Sequence, residues 1–194
     1  MKTSKITTIL LCIMAIILMS SCTNNNGKKE NMPPKYIFLF IGDGMSYNNV
    51  ALTESYLSYK SGKLGGEQLL FTTFPEFGSA TSHSANHRVT DSSASGTAIS
   101  TGSKTNNAML GVDPEGNKLR SMSYDLHDMG YNVGIISSVP VNHATPSSFY
   151  ANSDSRYDYY SITEQLPGSG FEYFAAAGMI NYYGDDDENP KDGA

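Results

Sequence analysis

The chain has 194 residues, of which 39% are hydrophobic and 16% are charged, and its formal net charge at pH 7 is −6. A composition of this kind is typical of a globular domain or of part of a larger protein. The 13 lysine and arginine residues are scattered along the chain rather than clustered, which argues against a nucleic-acid-binding surface. We therefore expect no nucleic acid among the partners of this protein.

Residues 1–22 have the pattern of a secretory signal peptide of the lipoprotein type. Two lysines precede an apolar run over residues 6–19, which is short and sharply ended for a transmembrane helix. The run ends in LMSSC, which resembles a bacterial lipobox in which Cys22 carries the lipid; ordinary signal cleavage near Ser21 is the alternative. From this pattern we expect an exported protein of the periplasm or cell envelope, anchored to the membrane through Cys22.

Residues 23–34 are polar and contain a run of asparagines and two prolines, which predicts a flexible tether. The domain itself is then expected over residues 35–194. Residues 36–41 (YIFLFI) are apolar at every position, which predicts a central parallel strand buried on both faces. Asp43 follows between two glycines, either at a strand end where ligands bind in open α/β sheets or in a plain Asp-Gly turn.

The rest of the chain alternates between helical and strand patterns. The predicted elements are helices over residues 47–60, 92–100, 121–129 and 157–165, strands over residues 77–84 and 133–136, a further apolar segment over residues 171–177, and a long loop over residues 101–120. This alternation predicts an α/β fold, a three-layer sandwich with a largely parallel central sheet. Because the chain stops soon after its last apolar segment, we expect the sandwich to be incomplete in this chain.

The segment VTDSSASGT, residues 89–97, places an acid and a serine at the head of a run of small residues. A helix N-terminus collects unpaired N–H groups and the positive end of the helix dipole, so it attracts anions. Ser92 in that position is placed to attack an anionic centre such as a phosphoryl group. The alternative is an ordinary capped helix with Thr90 or Asp91 as its N-cap.

Other candidate residues follow the strand predicted over residues 133–136. The imidazole of His143 and the hydroxyl of Thr145, together with the carboxylate of Asp43, are groups that bind divalent metals. A metal ion beside a serine hydroxyl lowers the pKa of that hydroxyl. Arg156 comes soon after, and its planar guanidinium can bind two phosphate oxygens at once; a surface ion pair with a neighbouring aspartate is the alternative.

Four segments of the chain resemble, in the same order, the site motifs of the alkaline phosphatase family. They are IGDGM at residues 41–45, VTDSSASGT at 89–97 with its continuation STGSKT at 100–105, VNHATP at 141–146, and ANSDSR at 151–156. The resemblance extends over about residues 35–183. It implies an exported hydrolase that cleaves phosphate monoesters through a phosphoserine intermediate at a Zn²⁺ and Mg²⁺ site.

The resemblance also implies a role for each candidate residue. Ser92 is the nucleophile and a zinc ligand, Asp43 bridges that zinc and the magnesium, His143 and Thr145 belong to the magnesium shell, Arg156 binds the phosphate oxygens, and Asp91 orients Arg156 or the helix start. His143 stands where other members of the family have an aspartate. These assignments are what the family motifs imply and not a consequence of spacing alone.

The family's remaining zinc ligands and its magnesium-binding glutamate have no counterpart in this sequence, and no histidine follows Arg156. We therefore expect the chain to be the N-terminal part of a longer enzyme, with little phosphatase activity by itself. A phosphodiesterase, sulfatase or phosphomutase of the same superfamily is one alternative, and a non-catalytic phosphate-binding lipoprotein is another. The oligomeric state stays open, with a homodimer as one option.

Overall fold

The computed structural model of the chain describes residues 33–181. The predicted signal peptide, the predicted lipidation site Cys22 and nearly all of the predicted tether lie outside the described residues. The described part belongs to two compact units, residues 33–41 and residues 42–181, which we treat separately. Within it, no helix is both long enough and apolar enough to cross a membrane.

The smaller unit contains the apolar run over residues 36–41. The prediction that this run forms a central strand is wrong for the described residues, in which it is extended but has no hydrogen-bonded strand partner. Its side chains are exposed, with Phe40 at 89% of its full accessible area, and the rings of Phe38 and Phe40 stack at 6.5 Å. An apolar strand needs paired backbone groups and covered faces. No described residue supplies either one.

The larger unit contains five α-helices, two short 3₁₀ helices and one two-stranded sheet among the described residues. In chain order the elements are α1 (Tyr47–Lys60), a 3₁₀ helix (Leu70–Thr73), α2 (Ser92–Thr101), α3 (Met122–Asp128), β1 (Gly134–Ile136), α4 (Ala144–Ser147), α5 (Tyr159–Glu164), a second 3₁₀ helix (Pro167–Ser169) and β2 (Tyr173–Ala175). The four predicted helices and the predicted strand near residue 134 are confirmed, with ends that agree to within two residues.

The prediction of a strand over residues 77–84 is wrong, because that segment has no ladder partner in the described part of the chain. Its end turns back on itself instead. The backbone N–H of Ser84 donates to the carbonyl oxygen of His87 at 3.1 Å, and the Ser84 hydroxyl accepts from the backbone N–H of His87 at 3.1 Å. Small polar residues of this kind offer the backbone local hydrogen bonds that compete with a sheet ladder.

The sheet pairs β1 with β2 in parallel, with Ile135 opposite Phe174. The apolar segment predicted over residues 171–177 thus contains a strand. Parallel strands require a crossover connection, and here the connection contains α4 and α5. The parallel pairing agrees with the predicted α/β fold, and the three-layer arrangement stays a prediction.

The hydrophobic core lies beneath this sheet and joins it to the loop over residues 101–120. Its fully or nearly fully buried members are Leu110, Ile135, Val141, Ala144, Tyr150, Ala151 and Ile162. One glycine also lets two helices approach closely, since a Cβ atom at Gly96 of α2 would lie 2.5 Å from Oγ of Ser148, just after α4. The close packing of α2 on α4 brings two of the candidate segments together.

Candidate active site

The helix that begins with the candidate nucleophile has an acidic cap. Asp91 is the N-cap of α2, and its Oδ1 accepts a hydrogen bond from the backbone N–H of Ala94 at 3.0 Å. Ser92 is the first residue of the helix, and the helix ends at Gly102 in the left-handed conformation with φ 74°. Of the two caps that the sequence left open, the structure therefore uses Asp91. Ser92 stands where unpaired N–H groups and the positive dipole end meet.

Asp43 lies in a tight turn. The N–H of Met45 donates to the carbonyl oxygen of Gly42 at 3.1 Å, and Gly44 has φ 71°, a conformation that favours glycine. The carboxylate Oδ2 of Asp43 accepts a hydrogen bond from the Thr145 hydroxyl at 2.7 Å. The plain-turn interpretation of Asp43 is thus correct for its backbone, while its side chain reaches a second candidate residue 102 positions away.

The electrostatic surroundings of Asp43 favour its ionised form. The hydrogen bond from Thr145 is the largest cause that lowers the pKa of Asp43, and burial opposes it. A hydrogen bond from the Ser92 hydroxyl and the positive charge of Arg156 lower the pKa further. Three segments that are distant in the sequence therefore meet at one carboxylate.

His143 is the N-cap residue of α4 and lies beside Arg156, with its Nε2 atom 3.4 Å from a terminal guanidinium nitrogen. Burial and the charge of Arg156 lower the pKa of His143, and the carboxylate of Asp43 opposes that shift. The imidazole is therefore neutral near pH 7. Its Nδ1 atom is buried and has no hydrogen-bond partner among the described residues.

Arg156 forms an ion pair with Asp91, with Nη1 and Oδ2 at 3.1 Å. The side chains are only 13% and 24% exposed, so this pair is better shielded from water than an ordinary surface pair. Burial alone would raise the pKa of Asp91, but hydrogen bonds from the Ala94 N–H, the Ser93 hydroxyl and Arg156 outweigh it and leave that pKa below its usual value. Arg156 is thus paired with Asp91, the N-cap of α2, and not with a neighbouring aspartate.

The structure brings all six predicted site residues into one connected cluster. Asp43 contacts Thr145 and Ser92, His143 contacts Arg156, and Arg156 contacts Asp91. Sequence reasoning missed two residues that hold Asp91: the Ser93 hydroxyl donates to its Oδ2 at 2.7 Å and the Ala108 N–H donates to the same atom at 3.1 Å. The local sequence around Ala108 does not predict its contact with Asp91, because that contact depends on how the loop over residues 101–120 folds.

The cluster fits part of a metal site. It contains a carboxylate, a neutral imidazole and hydroxyl oxygens, and the unpaired Nδ1 atom of His143 is a polar atom without a protein partner in the described range. No group of three or more His, Cys, Asp or Glu side chains within residues 33–181 is arranged to hold a metal ion. These residues can therefore supply several ligands to a metal ion but not, from the described part of the chain, a complete shell.

Comparison with known proteins identifies the family. The profile of the alkaline phosphatase family matches residues 34–180. Alkaline phosphatase 4 of Bacillus subtilis is 32% identical over 136 residues, and the tissue-nonspecific alkaline phosphatase of Rattus norvegicus is 33% identical over 144 residues. These matches cover 66% and 69% of this chain but only 28% and 27% of the relatives. The chain thus spans little more than a quarter of the length of these relatives.

Solved structures agree with the sequence comparison. Alkaline phosphatase from Thermus thermophilus superposes with a TM-score of 0.59 at 31% identity, over 66% of this chain and 27% of that one. The enzyme from the Antarctic bacterium TAB5 superposes with a TM-score of 0.57 at 30% identity, over 66% of this chain and 37% of that one. The fold is therefore of the α/β class seen in these hydrolases. The chain belongs to the alkaline phosphatase family, and the resemblance found in the sequence is confirmed.

Proposed function

We propose that the protein encoded by the complete gene hydrolyses phosphate monoesters, with Ser92 as the nucleophile and a phosphoserine as the intermediate. The observation that carries the proposal is that Ser92 begins a capped helix whose cap, Asp91, is paired with the guanidinium of Arg156. The Ser92 hydroxyl, the N-terminus of α2 and the Arg156 guanidinium therefore belong to one cluster of groups. This combination suits a tetrahedral anion better than a neutral substrate.

In this proposal each side chain has a separate task. Arg156 and the N–H groups of the first turn of α2 bind the non-transferred oxygens, which neutralises charge and aligns the phosphorus with the serine oxygen. The Ser92 oxygen attacks phosphorus while the bond to the leaving oxygen breaks. Water then attacks the phosphoserine, which releases phosphate and restores the hydroxyl. Asp91 would hold the guanidinium near the start of α2 through both steps.

Metal ions complete the proposed site. Asp43, Ser92, His143 and Thr145 would hold them, and bound Zn²⁺ and Mg²⁺ would lower the pKa of the serine hydroxyl and stabilise the leaving oxygen. An ionised Asp43 and a neutral His143 are the protonation states that metal ligands need. Two solved mutants of the TAB5 enzyme have Mg bound in a site called M3, which supports magnesium here by family analogy.

We also propose that the protein is exported and anchored through a lipid on Cys22. The support is the sequence alone, namely the apolar run over residues 6–19 and the LMSSC segment that follows it. Metabolic labelling with a palmitate analogue tests this anchor. Labelling of the wild type and its loss in Cys22→Ala are expected, whereas equal labelling of both would contradict it.

The decisive experiment on function compares Ser92→Ala with Ser95→Ala in the complete gene product. Ser95 lies on the same helix, but its hydroxyl donates to Thr90 at 3.0 Å and takes no part in the proposed chemistry. We expect Ser92→Ala to lower kcat for an aryl phosphate by roughly a thousandfold or more and to abolish trapping of labelled phosphoprotein. Ser95→Ala should retain both.

Three outcomes would contradict parts of the proposal. Wild-type turnover by Ser92→Ala would remove Ser92 as the nucleophile. Faster cleavage of a phosphodiester or a sulfate ester than of a phosphomonoester would favour a related hydrolase of the same superfamily. Phosphate binding without turnover of any ester by the wild type would favour the non-catalytic lipoprotein.

A further inference from the structure

Ala108 has an unusual backbone conformation, with φ 71° in the left-handed region. Only Ala108 and Asn181 show a positive φ among the non-glycine residues of the described range. The Cβ atom of an L-residue crowds the following carbonyl in this conformation, so the surrounding structure has to hold the residue there. The contacts of Ala108 show which part of the molecule does so.

The backbone of Ala108 is bonded on both sides to the candidate site. Its N–H donates to Oδ2 of Asp91 at 3.1 Å, and its carbonyl oxygen accepts from the backbone N–H of Arg156 at 2.7 Å. The Arg156 side chain also binds Asp91, through an ion pair of 3.1 Å, so the three residues are mutually connected. Ala108 is therefore tied at once to the cap of the nucleophile helix and to the main chain that carries the guanidinium.

Flanking contacts keep the loop around Ala108 in place. The Asn107 side chain accepts from the Asp91 N–H at 3.3 Å and donates to the Val89 carbonyl at 3.0 Å. Leu110 and Ser153 exchange two backbone hydrogen bonds of 2.9 and 2.7 Å. Because the loop is anchored on both sides, a change of φ at Ala108 would break its bond to Asp91 or its bond to Arg156.

We propose that Ala108 is a positioning residue for phosphate binding, and that its left-handed conformation holds Arg156 against Asp91 and so fixes the guanidinium relative to Ser92. The inference rests on the proposed function insofar as Arg156 binds the phosphoryl oxygens. It goes further by assigning a role to a residue that has no functional side-chain group. The relevant property of Ala108 is that its small side chain tolerates a positive φ, which is less favourable for larger and β-branched residues.

The test is a series of substitutions at position 108 in the metal-loaded complete gene product. Valine is β-branched and strongly disfavours a positive φ. We expect Ala108→Val to weaken binding of inorganic phosphate about tenfold, which corresponds to about 1.4 kcal/mol, and to lower kcat/KM for an aryl phosphate by the same factor. The loss should appear mainly as a higher KM, because the guanidinium contacts bound ester and transition state alike.

Two more variants extend the series. Ala108→Gly adopts the same conformation without strain, so it should bind phosphate like the wild type and should not lower the melting temperature. Ala108→Leu, which is unbranched at Cβ, should lie between the wild type and Ala108→Val. If the valine variant does not fold, the order glycine, alanine, leucine still decides the question, and a phosphate affinity that does not follow this order would overturn the proposal.

A matched control separates positioning from stability. Gly130 has φ 88° just after α3, and a Cβ atom there would meet no atom within 4 Å. Gly130→Val imposes the same backbone conflict away from the site, so it should lower the melting temperature and leave phosphate binding unchanged. Phosphate binding by Ala108→Val within twofold of the wild type, or equal weakening in Gly130→Val, would overturn the inference.

Phosphate binding is measured by calorimetry, independently of turnover. If the wild type binds phosphate but hydrolyses no ester, the proposed function fails, while a tenfold weaker affinity in Ala108→Val would still support the positioning role. If the wild type hydrolyses esters and Ala108→Val does so with unchanged constants, the positioning role fails and the proposed function stands.

Discussion

The two longest helices of the described chain are stabilised in different ways. Helix α2, which begins with Ser92, buries five of its ten residues against the rest of the larger unit. Helix α1, which follows the Asp43 turn, buries only Ser58 among its fourteen residues. Its start depends on local bonds, with the N–H and hydroxyl of Ser46 both donating to the Asn49 side chain.

The candidate site therefore combines a well-packed part with a part that has few buried side chains. Helix α2 and Arg156 belong to the packed part, whereas Asp43 precedes a helix with only one buried residue. Local opening requires less free energy where fewer apolar contacts are lost. We therefore expect matched substitutions to have larger effects in the packed part than around α1.

The largest difference should come from truncating one apolar side chain in each part. Ile162 is fully buried in the core, while Leu52 on α1 is 72% exposed. In urea unfolding of the 194-residue chain, Ile162→Ala should lower the free energy of unfolding by about 2–5 kcal/mol because it leaves a cavity. Leu52→Ala should change it by less than about 0.5 kcal/mol. Equal losses would mean that α1 is as well covered as the core.

A glycine in each part gives a smaller difference. A Cβ atom at Gly96 would lie 2.5 Å from Oγ and 2.9 Å from Cβ of Ser148, whereas one at Gly78 would meet no atom within 4 Å. Gly96→Ala should therefore lower the free energy of unfolding by about 1–3 kcal/mol, despite the better helix propensity of alanine. Gly78→Ala should be neutral within about 0.5 kcal/mol. A stabilising Gly96→Ala would show that α2 and α4 are not closely packed.

The two helix starts should show the smallest difference. Asp91→Ala removes the acceptor for the Ala94 N–H and leaves the guanidinium of Arg156 without its carboxylate, so a loss of about 1–2 kcal/mol is expected. Ser46→Ala leaves the Asn49 side chain with the backbone N–H of residue 46 and should cost about 0.5 kcal/mol. Thermal unfolding followed by circular dichroism measures both. A larger loss at residue 46 would reverse the proposed ranking of the two helices.

The helices and one strand of the larger unit could be predicted from the sequence because their signals are local. Asp91 caps α2 through atoms within three residues of it, and the apolar residues of β1 are contiguous. The apolar run over residues 36–41 was misassigned because a strand depends on partners that a local pattern does not contain. Strand propensity describes suitability for a sheet and does not supply the neighbouring strand.

The residues of the candidate site likewise differ in whether a local sequence signal could predict them. Ser92, Asp43 and His143 could be proposed because each lies in a motif that resembles one known family. The left-handed φ of Ala108 could not be predicted. It depends on hydrogen bonds to Asp91 and Arg156, two residues that are distant from Ala108 in the sequence. A residue that acts through its backbone conformation has no side-chain signal that a motif could record.

The exposed apolar run over residues 36–41 has a consequence for solubility. Six consecutive apolar residues with unpaired backbone groups form the kind of segment that nucleates cross-β aggregation. Lys35 precedes the run and Asp43 follows it after a single glycine, so a charge stands near each end. Charges in such positions act as gatekeepers that oppose stacking of identical segments. By the same principle the Asp43 carboxylate, which accepts a hydrogen bond from Thr145, is expected to oppose self-association of this segment.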